Sequence, residues 1–421
     1  MVGFGMNQRL FAFIDPTHPF ARKVDRFRAA VRAERRCVEL LDQTTSGEAA
    51  VQAEIKGVPT PDGGWALDRF YWSLQTRASR QPAGFAALTL VYVAENDRLD
   101  WHVFPDDPYL PELGPSLQHT SLAASKQDTN EVLRYVPLRR LTLRTAESGG
   151  GAPTVAKFKR RSRLAESYQR LAAVARAVEQ AGSPFGVAAP RGLDCERGVF
   201  FQSVQPGTDL TLLLDESNMQ QHFTRLGAVH RDLHELTIPD LPGQTVDPFA
   251  ELRRNTRWIT FFRPDCRDLL EATCELACRH APTPGPAELA VCHGDFVCSQ
   301  VLVDGDDWTV TDFDACHRGD PYRDMGIFLA SLSYDVPLFR APSVTAGLLE
   351  FAIRAYLSGY ESRTGHQLDA ARLLWHRLAA EVYYLALMFK KDWYEPTRFA
   401  RALDRVGSLA VSLAEQSKEI V

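Results

Sequence analysis

The sequence predicts an α+β protein of two unequal lobes, with a smaller α+β unit placed ahead of them. Three observations lead there. Strand candidates, one helix and a further strand precede a mainly helical C-terminal half; one compact polar stretch at 290–326 interrupts that half; and the first 125 residues mix helical and strand signals. At 421 residues the chain has room for two or three compact units, at roughly 100–200 residues each.

Composition narrows the function classes. Hydrophobic residues at 45% and charged ones at 24% give a globular chain with a full core, which excludes disorder and a disulfide-stapled miniature. A net charge of −5 lacks the basic surplus that nucleic acid requires, so no nucleic-acid partner is expected. No apolar run approaches the ~20 residues of a membrane helix, so no membrane partner is expected either. The opening MVGFGMNQRLFAFIDPTHPF has no basic stretch followed by an apolar one, and a cytoplasmic location is expected. The eight cysteines form no CxxC pair, which argues against zinc; Cys274 and Cys278, at i,i+4, read as a reduced buried pair. Only 8 of the 48 basic residues are lysines, so each lysine is worth locating.

Residues 21–42 are expected to form one amphipathic helix, with Val24, Phe27, Val31 and Leu40 near helical spacing. Strands follow at 51–57, 69–76, 86–95 and 99–105, split by the turn chemistry of PDGG (61–64) and QPAG (81–84). This first unit, 1–125, ends in the proline-rich FPDDPYLPELGP. A second unit, 126–205, holds the strands EVLRYVP, RLTLRT and TVAKFKR, a helix over 163–181 closed by Gly182, and the strand GVFFQSVQPG (198–207). Residues 206–421 form the helical bulk.

Chemistry concentrates in VCHGDFVCSQVLVDGDDWTVTDFDACHRGDPYRDMG (291–326). The apolar runs VLVD and WTVTDF flank Asp304-Gly305-Asp306, a hairpin signal. His293, Asp295 and Gln300 stand at one mouth of that hairpin and Asp312 at the other. Phosphoryl transfer needs a carboxylate to orient the attacking hydroxyl and oxygen ligands for a metal on the phosphates. Mg²⁺ prefers carboxylate or amide oxygens in that role.

These residues resemble the aminoglycoside phosphotransferase-like (choline kinase-like) superfamily of small-molecule kinases. The likeness rests on His293-Gly294-Asp295, Gln300 in the place of the family's Asn, Asp312-Phe313-Asp314, and Gly319-Asp320-Pro321 with Asp324. It spans about 130–390, strongly in 291–326 and loosely elsewhere. It implies a protein-kinase-like bilobal fold with an additional N-terminal α+β cap, and ATP and Mg²⁺ as cofactors. Asp295 would be the catalytic base, Gln300 and Asp312 the metal ligands, and Asp324 a structural brace. Gln for Asn departs from the pattern, since its carbonyl stands one methylene further out. Maltokinase-like sugar kinases carry Gln there and have an N-terminal cap, which residues 1–125 resemble.

By the same resemblance, Lys157 in TVAKFKR would reach the α/β-phosphates, with Glu166 as its acidic partner on the following helix. Lys159 shares that strand face and is the rival. Gln202, Ser203 and Val204 occupy the hinge position, where backbone groups would hold adenine. The glycines at 149–151 join the second and third strands, not the first two, and read as a hairpin tip. The loop in the phosphate-covering place, Pro137-Leu138-Arg139-Arg140, has no glycine, though either arginine could reach a phosphate. His230-Arg231-Asp232-Leu233 spells a protein-kinase catalytic-loop motif, but Leu226, Val229, Leu233 and Leu236 form a helical stripe through it, so a structural helix is expected.

Lys390, Lys391, Asp392 and Trp393 are candidates for the acceptor pocket. Residues 360–421 carry eight acidic and nine basic side chains, a balance that disfavours a polycationic acceptor. The expected function is ATP- and Mg²⁺-dependent transfer of the γ-phosphate to a hydroxyl of a small polar metabolite, a sugar or amino sugar. A catalytically weak kinase-fold nucleotide or metabolite sensor and a protein-directed kinase stay open as alternatives. The choice of acceptor hydroxyl, ATP against GTP, and the oligomeric state are not legible.

Overall fold

Runs rich in aromatic and branched residues, split by turn chemistry, fold the N-terminal unit into an antiparallel meander whose two central strands are buried on both faces. In this computed structural model, which describes residues 10–42, 49–77, 84–118, 130–145, 152–244, 247–340, 346–362 and 367–419, strands β1 (Ala49–Pro59), β2 (Trp65–Arg77), β3 (Phe85–Val93) and β4 (Arg98–Val103) pair in that order. Ile55, Phe70, Leu74, Leu88, Leu90 and Tyr92 are buried in one core. The helix expected over 21–42 is two, α1 (Ala21–Ala33) and α2 (Arg35–Asp42). They part at Glu34, which is extended (ψ 105°) and whose carboxylate accepts from the Arg36 amide at 3.2 Å. A side chain that bonds nearby backbone competes with the helical ladder.

The meander does not stand alone. Its core continues into Trp258, Ile259 and Phe262 of α5 and into Leu385 and Phe389 of α9, two helices of the C-terminal half defined below. Gly57, at a register shift in β1, permits that approach: a Cβ there would lie 2.6 Å from the Trp258 ring.

The second unit is a five-stranded sheet in the order β5-β6-β7-β10-β9. Its strands are β5 (Glu131–Val136), β6 (Arg140–Thr145), β7 (Thr154–Lys159), β9 (Pro190–Asp194) and β10 (Val199–Ser203), with the short β8 (Gly186–Val187) lying before β9. Helix α3 (Arg161–Ala181) packs against it and ends at Gly182, whose φ of +58° and bonds to Val178 and Glu179 carbonyls form a left-handed cap. The glycines at 149–151 and the junction at 125/126 lie outside the described residues.

In the C-terminal half, α4 (Met219–His234), α5 (Pro248–Phe262) and α6 (Arg267–Arg279) precede the polar stretch, and α7 (Pro321–Asp335), α8 (Ala346–Glu361), α9 (Ala370–Lys390) and α10 (Pro396–Glu419) follow it. Within the stretch, β13 (Val301–Asp304) and β14 (Asp307–Val310) form the expected hairpin, in register Val301↔Val310, between β11 (Thr208–Asp209) and β8. Beside it β12 (Ala290–Cys292) pairs with β15 (His317–Gly319). A twisted sheet with one long helix above a helical lobe that carries a hairpin is the bilobal kinase-like arrangement, here with an added N-terminal sheet. Among the described residues no helix is long and apolar enough to cross a membrane.

Candidate active site

The loop after β12 is held from behind. Asp324, in the first turn of α7, accepts from the His293 amide at 2.6 Å and the Gly294 amide at 2.9 Å. Its Oδ2 also lies 3.3 and 3.4 Å from Nε2 of His230 and His234 on α4. Burial opposes the charge on Asp324, but the bonds from His230 and His234 outweigh it and hold the carboxyl well below the usual range. Burial pushes His230 down to about 3, so its imidazole is neutral. Gly294 has φ +82°, and a Cβ there would sit 2.5 Å from the Ala315 carbonyl, so the loop needs glycine. The HRDL sequence lies inside α4, with His230 fully buried and stacked on Phe296 at 3.8 Å.

This bracing presents Asp295 to the cleft between the lobes. Protein surrounds its carboxyl closely enough to raise its pKa; His293 opposes that rise and the charge of Asp312 adds to it. Gln300 closes a short turn, its backbone carbonyl accepting from the Thr311 amide at 2.8 Å and its Oε1 from the Thr311 hydroxyl at 3.1 Å. That cross-strand bond sets Gln300 beside Asp312, which follows β14 with φ +65°. A non-glycine residue in the left-handed region is strained, and such strain gathers at functional sites. Burial works against the Asp312 charge, but Lys157, Arg140 and Lys159 hold its carboxyl well below the ordinary range. Its Oδ1 is buried without a hydrogen-bond partner. An orphaned carboxylate oxygen beside an amide carbonyl is a donor set of hard oxygens, which fits Mg²⁺.

From the N-lobe, Lys157 and Lys159 share one face of β7, as the two-residue period requires. Lys157 Nζ lies 3.6 Å from Asp312 Oδ1, while Lys159 pairs with Asp314 and donates to Ser167 at 3.3 Å. The expected pairing of Lys157 with Glu166 does not form. Glu166 bonds Arg163 at 3.0 Å and Arg170 at 2.6 Å, because arginines one turn to either side on α3 are nearer than the strand lysine. Gln202 lines a narrow cavity with Lys157, Phe200, Val187 and Asp312. The Ser203 amide donates to Ala189 at 2.8 Å and so is committed to the sheet; Val204 follows directly, half-buried.

A cleft of about 520 Å³ opens beside Asp295 and Gln300. Lys391, Asp392 and Trp393 line it, whereas Lys390 turns away to Asn255 at 3.0 Å. The N-terminal sheet supplies another wall through Gln52 and Tyr71. Nearby, Glu54 on β1 accepts from Lys391 and lies 3.9 Å from Arg139. The sequence reading missed these cap residues, since long-range register alone brings them here. It also missed Arg134, which lines the cleft and has no carboxylate partner among the described residues. Its signal was an arginine inside a strand, at a shift of register between Val132 and Arg134.

A family model described as "Phosphotransferase enzyme family" matches residues 140–370. No curated protein sequence matches the chain. Among solved structures, an aminoglycoside phosphotransferase-like protein from Ralstonia eutropha aligns with a TM-score of 0.50 at 16% identity, covering 73% of this chain and 98% of its own. A choline/ethanolamine kinase family protein from Mesorhizobium loti gives 0.45 at 16% identity, covering 70% and 97%. An amicoumacin kinase solved with AMP-PNP and Ca²⁺ gives 0.48 at 16% identity, covering 68% and 89%. At 16% identity the likeness to the Ralstonia protein speaks for the fold alone.

Proposed function

The chain belongs to the phosphotransferase enzyme family, and from that premise we propose an ATP- and Mg²⁺-dependent kinase that phosphorylates a hydroxyl of a sugar or amino sugar. One observation supports the reading: Asp295 and Gln300 line a cleft of about 520 Å³, and Asp312 follows Thr311, which bonds Gln300, and lies 3.6 Å from Lys157. Lys157 and Arg140 offer cations to the phosphates of ATP. Asp312 and Gln300 would hold Mg²⁺, which neutralises phosphate charge when bound. Asp295 accepts a hydrogen bond from the acceptor hydroxyl and takes its proton as the oxygen bonds phosphorus and ADP leaves. A raised pKa makes it the stronger base of the two aspartates. Tyr383, Tyr384 and Trp393 with Gln52, Ser299 and Lys391 give the cleft apolar faces and polar edges, which suits a polyhydroxyl ring. An ATP-consuming enzyme of this kind belongs in the cytoplasm.

A second reading, a nucleotide or metabolite sensor with weak transfer, draws on the Arg140 bond to Asp312 at 2.9 Å, which occupies one metal-ligating oxygen. Phosphate transfer from ATP to a panel of sugars and amino sugars separates the two. Asp295→Asn should lose on the order of 10²–10⁴-fold in turnover and still fold, while Asp232→Asn stays within a few-fold. The reverse pattern would overturn the placement of the site. Nucleotide binding without transfer to any panel member favours the sensor.

A further inference from the structure

A second cavity, of about 430 Å³, shares Arg139 and Arg140 with the acceptor cleft and is otherwise built from other parts of the chain. Lys56 and Arg69 come from the N-terminal sheet, and Arg160 and Arg163 from the start of α3. Eight of the lining side chains are basic and three are acidic. Every one of the three carboxylates is already committed. Glu54 takes Lys391 and Arg139; Asp314 takes Lys159 and Arg140; Glu166 takes Arg163 and Arg170. Lys56 finds Asp68 outside the cavity, at 3.2 Å.

Two guanidinium groups are left over. Among the described residues, Arg69 and Arg160 pair with no carboxylate. Both rest against the Tyr109 ring, at 5.4 and 4.3 Å from its centroid. Arg160 Nε donates to the Leu138 carbonyl at 2.6 Å, but its Nη2 is buried with no partner among the described residues. Burial and the charges of Arg69 and Arg139 depress the Arg160 pKa, which shows how crowded these like charges are. The start of α3 adds to the field. Arg160 is its N-cap residue, no side chain caps it, and its first turn has no acid, so free N–H groups and the positive end of the helix dipole lie beside the arginines.

We propose that this cavity is a second anion site, adjoining the nucleotide pocket and centred on Arg69 and Arg160, that takes a compact phosphate-bearing ligand of at least two negative charges. Planar guanidinium groups match phosphate oxygens in pairs, and a helix N-terminus accepts the same group. The volume suits pyrophosphate or a small phosphate ester. The cavity shares Ser167 and Asp314 with the narrow pocket of Lys157, Phe200 and Gln202, but none of those three side chains lines it. Because Arg140 lines it and also bonds Asp312, an anion held here competes with Asp312 for that guanidinium.

Calorimetric titration of the full chain with pyrophosphate, free of metal and repeated with saturating ADP, tests the site. One equivalent should bind in both conditions. Arg69→Glu should weaken it by ~10-fold or more, the scale of one charge-assisted contact, and leave ADP affinity as it was. Among the described residues the Arg69 side chain makes no hydrogen bond or ion pair, so this variant should keep its melting temperature; Arg160→Gln is the second arm and should weaken pyrophosphate likewise. A parallel titration with a hexose phosphate distinguishes an ester ligand from a free polyphosphate. Displacement of pyrophosphate by ADP, unchanged binding in both variants, or no binding by wild type would each overturn the site. Failure of ADP alone to bind would count against the kinase reading and not against this one.

Discussion

Arg140 donates to Asp312 at 2.9 Å, so a side chain from the N-lobe hairpin closes on the acid that follows β14. It thereby holds the carboxylate that would ligate a metal. Arg140→Ala should lower the melting temperature without Mg²⁺, because Asp312 stays buried with one cation fewer, at a cost of about 1–3 kcal/mol. Added Mg²⁺ should then raise the melting temperature more in the variant than in wild type, since ligand binding to the native state stabilises by mass action. Equal Mg²⁺ shifts, read by calorimetry, would show that Arg140 does not compete for the site.

Lys157 and Lys159 should fail in different ways. Lys157 meets Asp312 at the nucleotide pocket, so Lys157→Ala should depress turnover and nucleotide affinity with a modest change in melting. Lys159 is buried between Asp314 and Ser167, and Lys159→Ala leaves the partly exposed Asp314 with Arg140 alone. Its main effect should be destabilisation, on the order of 1–3 kcal/mol in denaturant titration. Were Lys159→Ala the variant that folds normally and cannot turn over, the two roles would be exchanged.

Gln300→Ala removes the amide carbonyl held by Thr311. The Mg²⁺ concentration for half-maximal turnover should rise, because one oxygen is lost from an octahedral site. Gln300→Asn, which keeps the carbonyl one methylene back, should recover part of it. A Mg²⁺ titration unchanged in Gln300→Ala would move the ligand role to another oxygen.

Burial raises the pKa of Asp392 to about 7, against the backbone bond from Phe11 at 2.9 Å. In the unfolded chain it titrates near ~3.9. The native state therefore keeps this proton to higher pH than the unfolded state does. The group's contribution to stability is full below about pH 4 and declines as pH rises towards about 7. Asp392→Asn keeps an acceptor oxygen for Phe11 and cannot ionise. Its melting temperature should gain on wild type progressively from pH 4 to pH 8, and parallel melting profiles would contradict the raised pKa.

Much of this was legible locally. The HGD loop, the Asp-Gly-Asp turn and the strand lysines are short-range signals, and the hairpin put Gln300 beside Asp312 because strand pairing has a fixed register. Helix α2 was not separated from α1, since the break depends on one carboxylate bonding one amide. The partners of Glu166 were within reach of the sequence: Arg163 and Arg170 stand three before and four after it in the expected helix, and the nearest cation wins over the strand lysine. Arg134, Gln52 and Tyr71 reach the cleft through contacts between units, which no periodicity encodes.

Glu54 stands on the first sheet, yet it meets Arg139 of the second unit and Lys391 of the third. Widening the gap between the lobes strains that joint, because the sheet is anchored in the same core as the C-terminal helices. One carboxylate of the first sheet is thus shared by both lobes, and parting them would cost it two cations at once. Salt should loosen the outer pair, with Arg139 half-exposed, before the sheltered pair with Lys391.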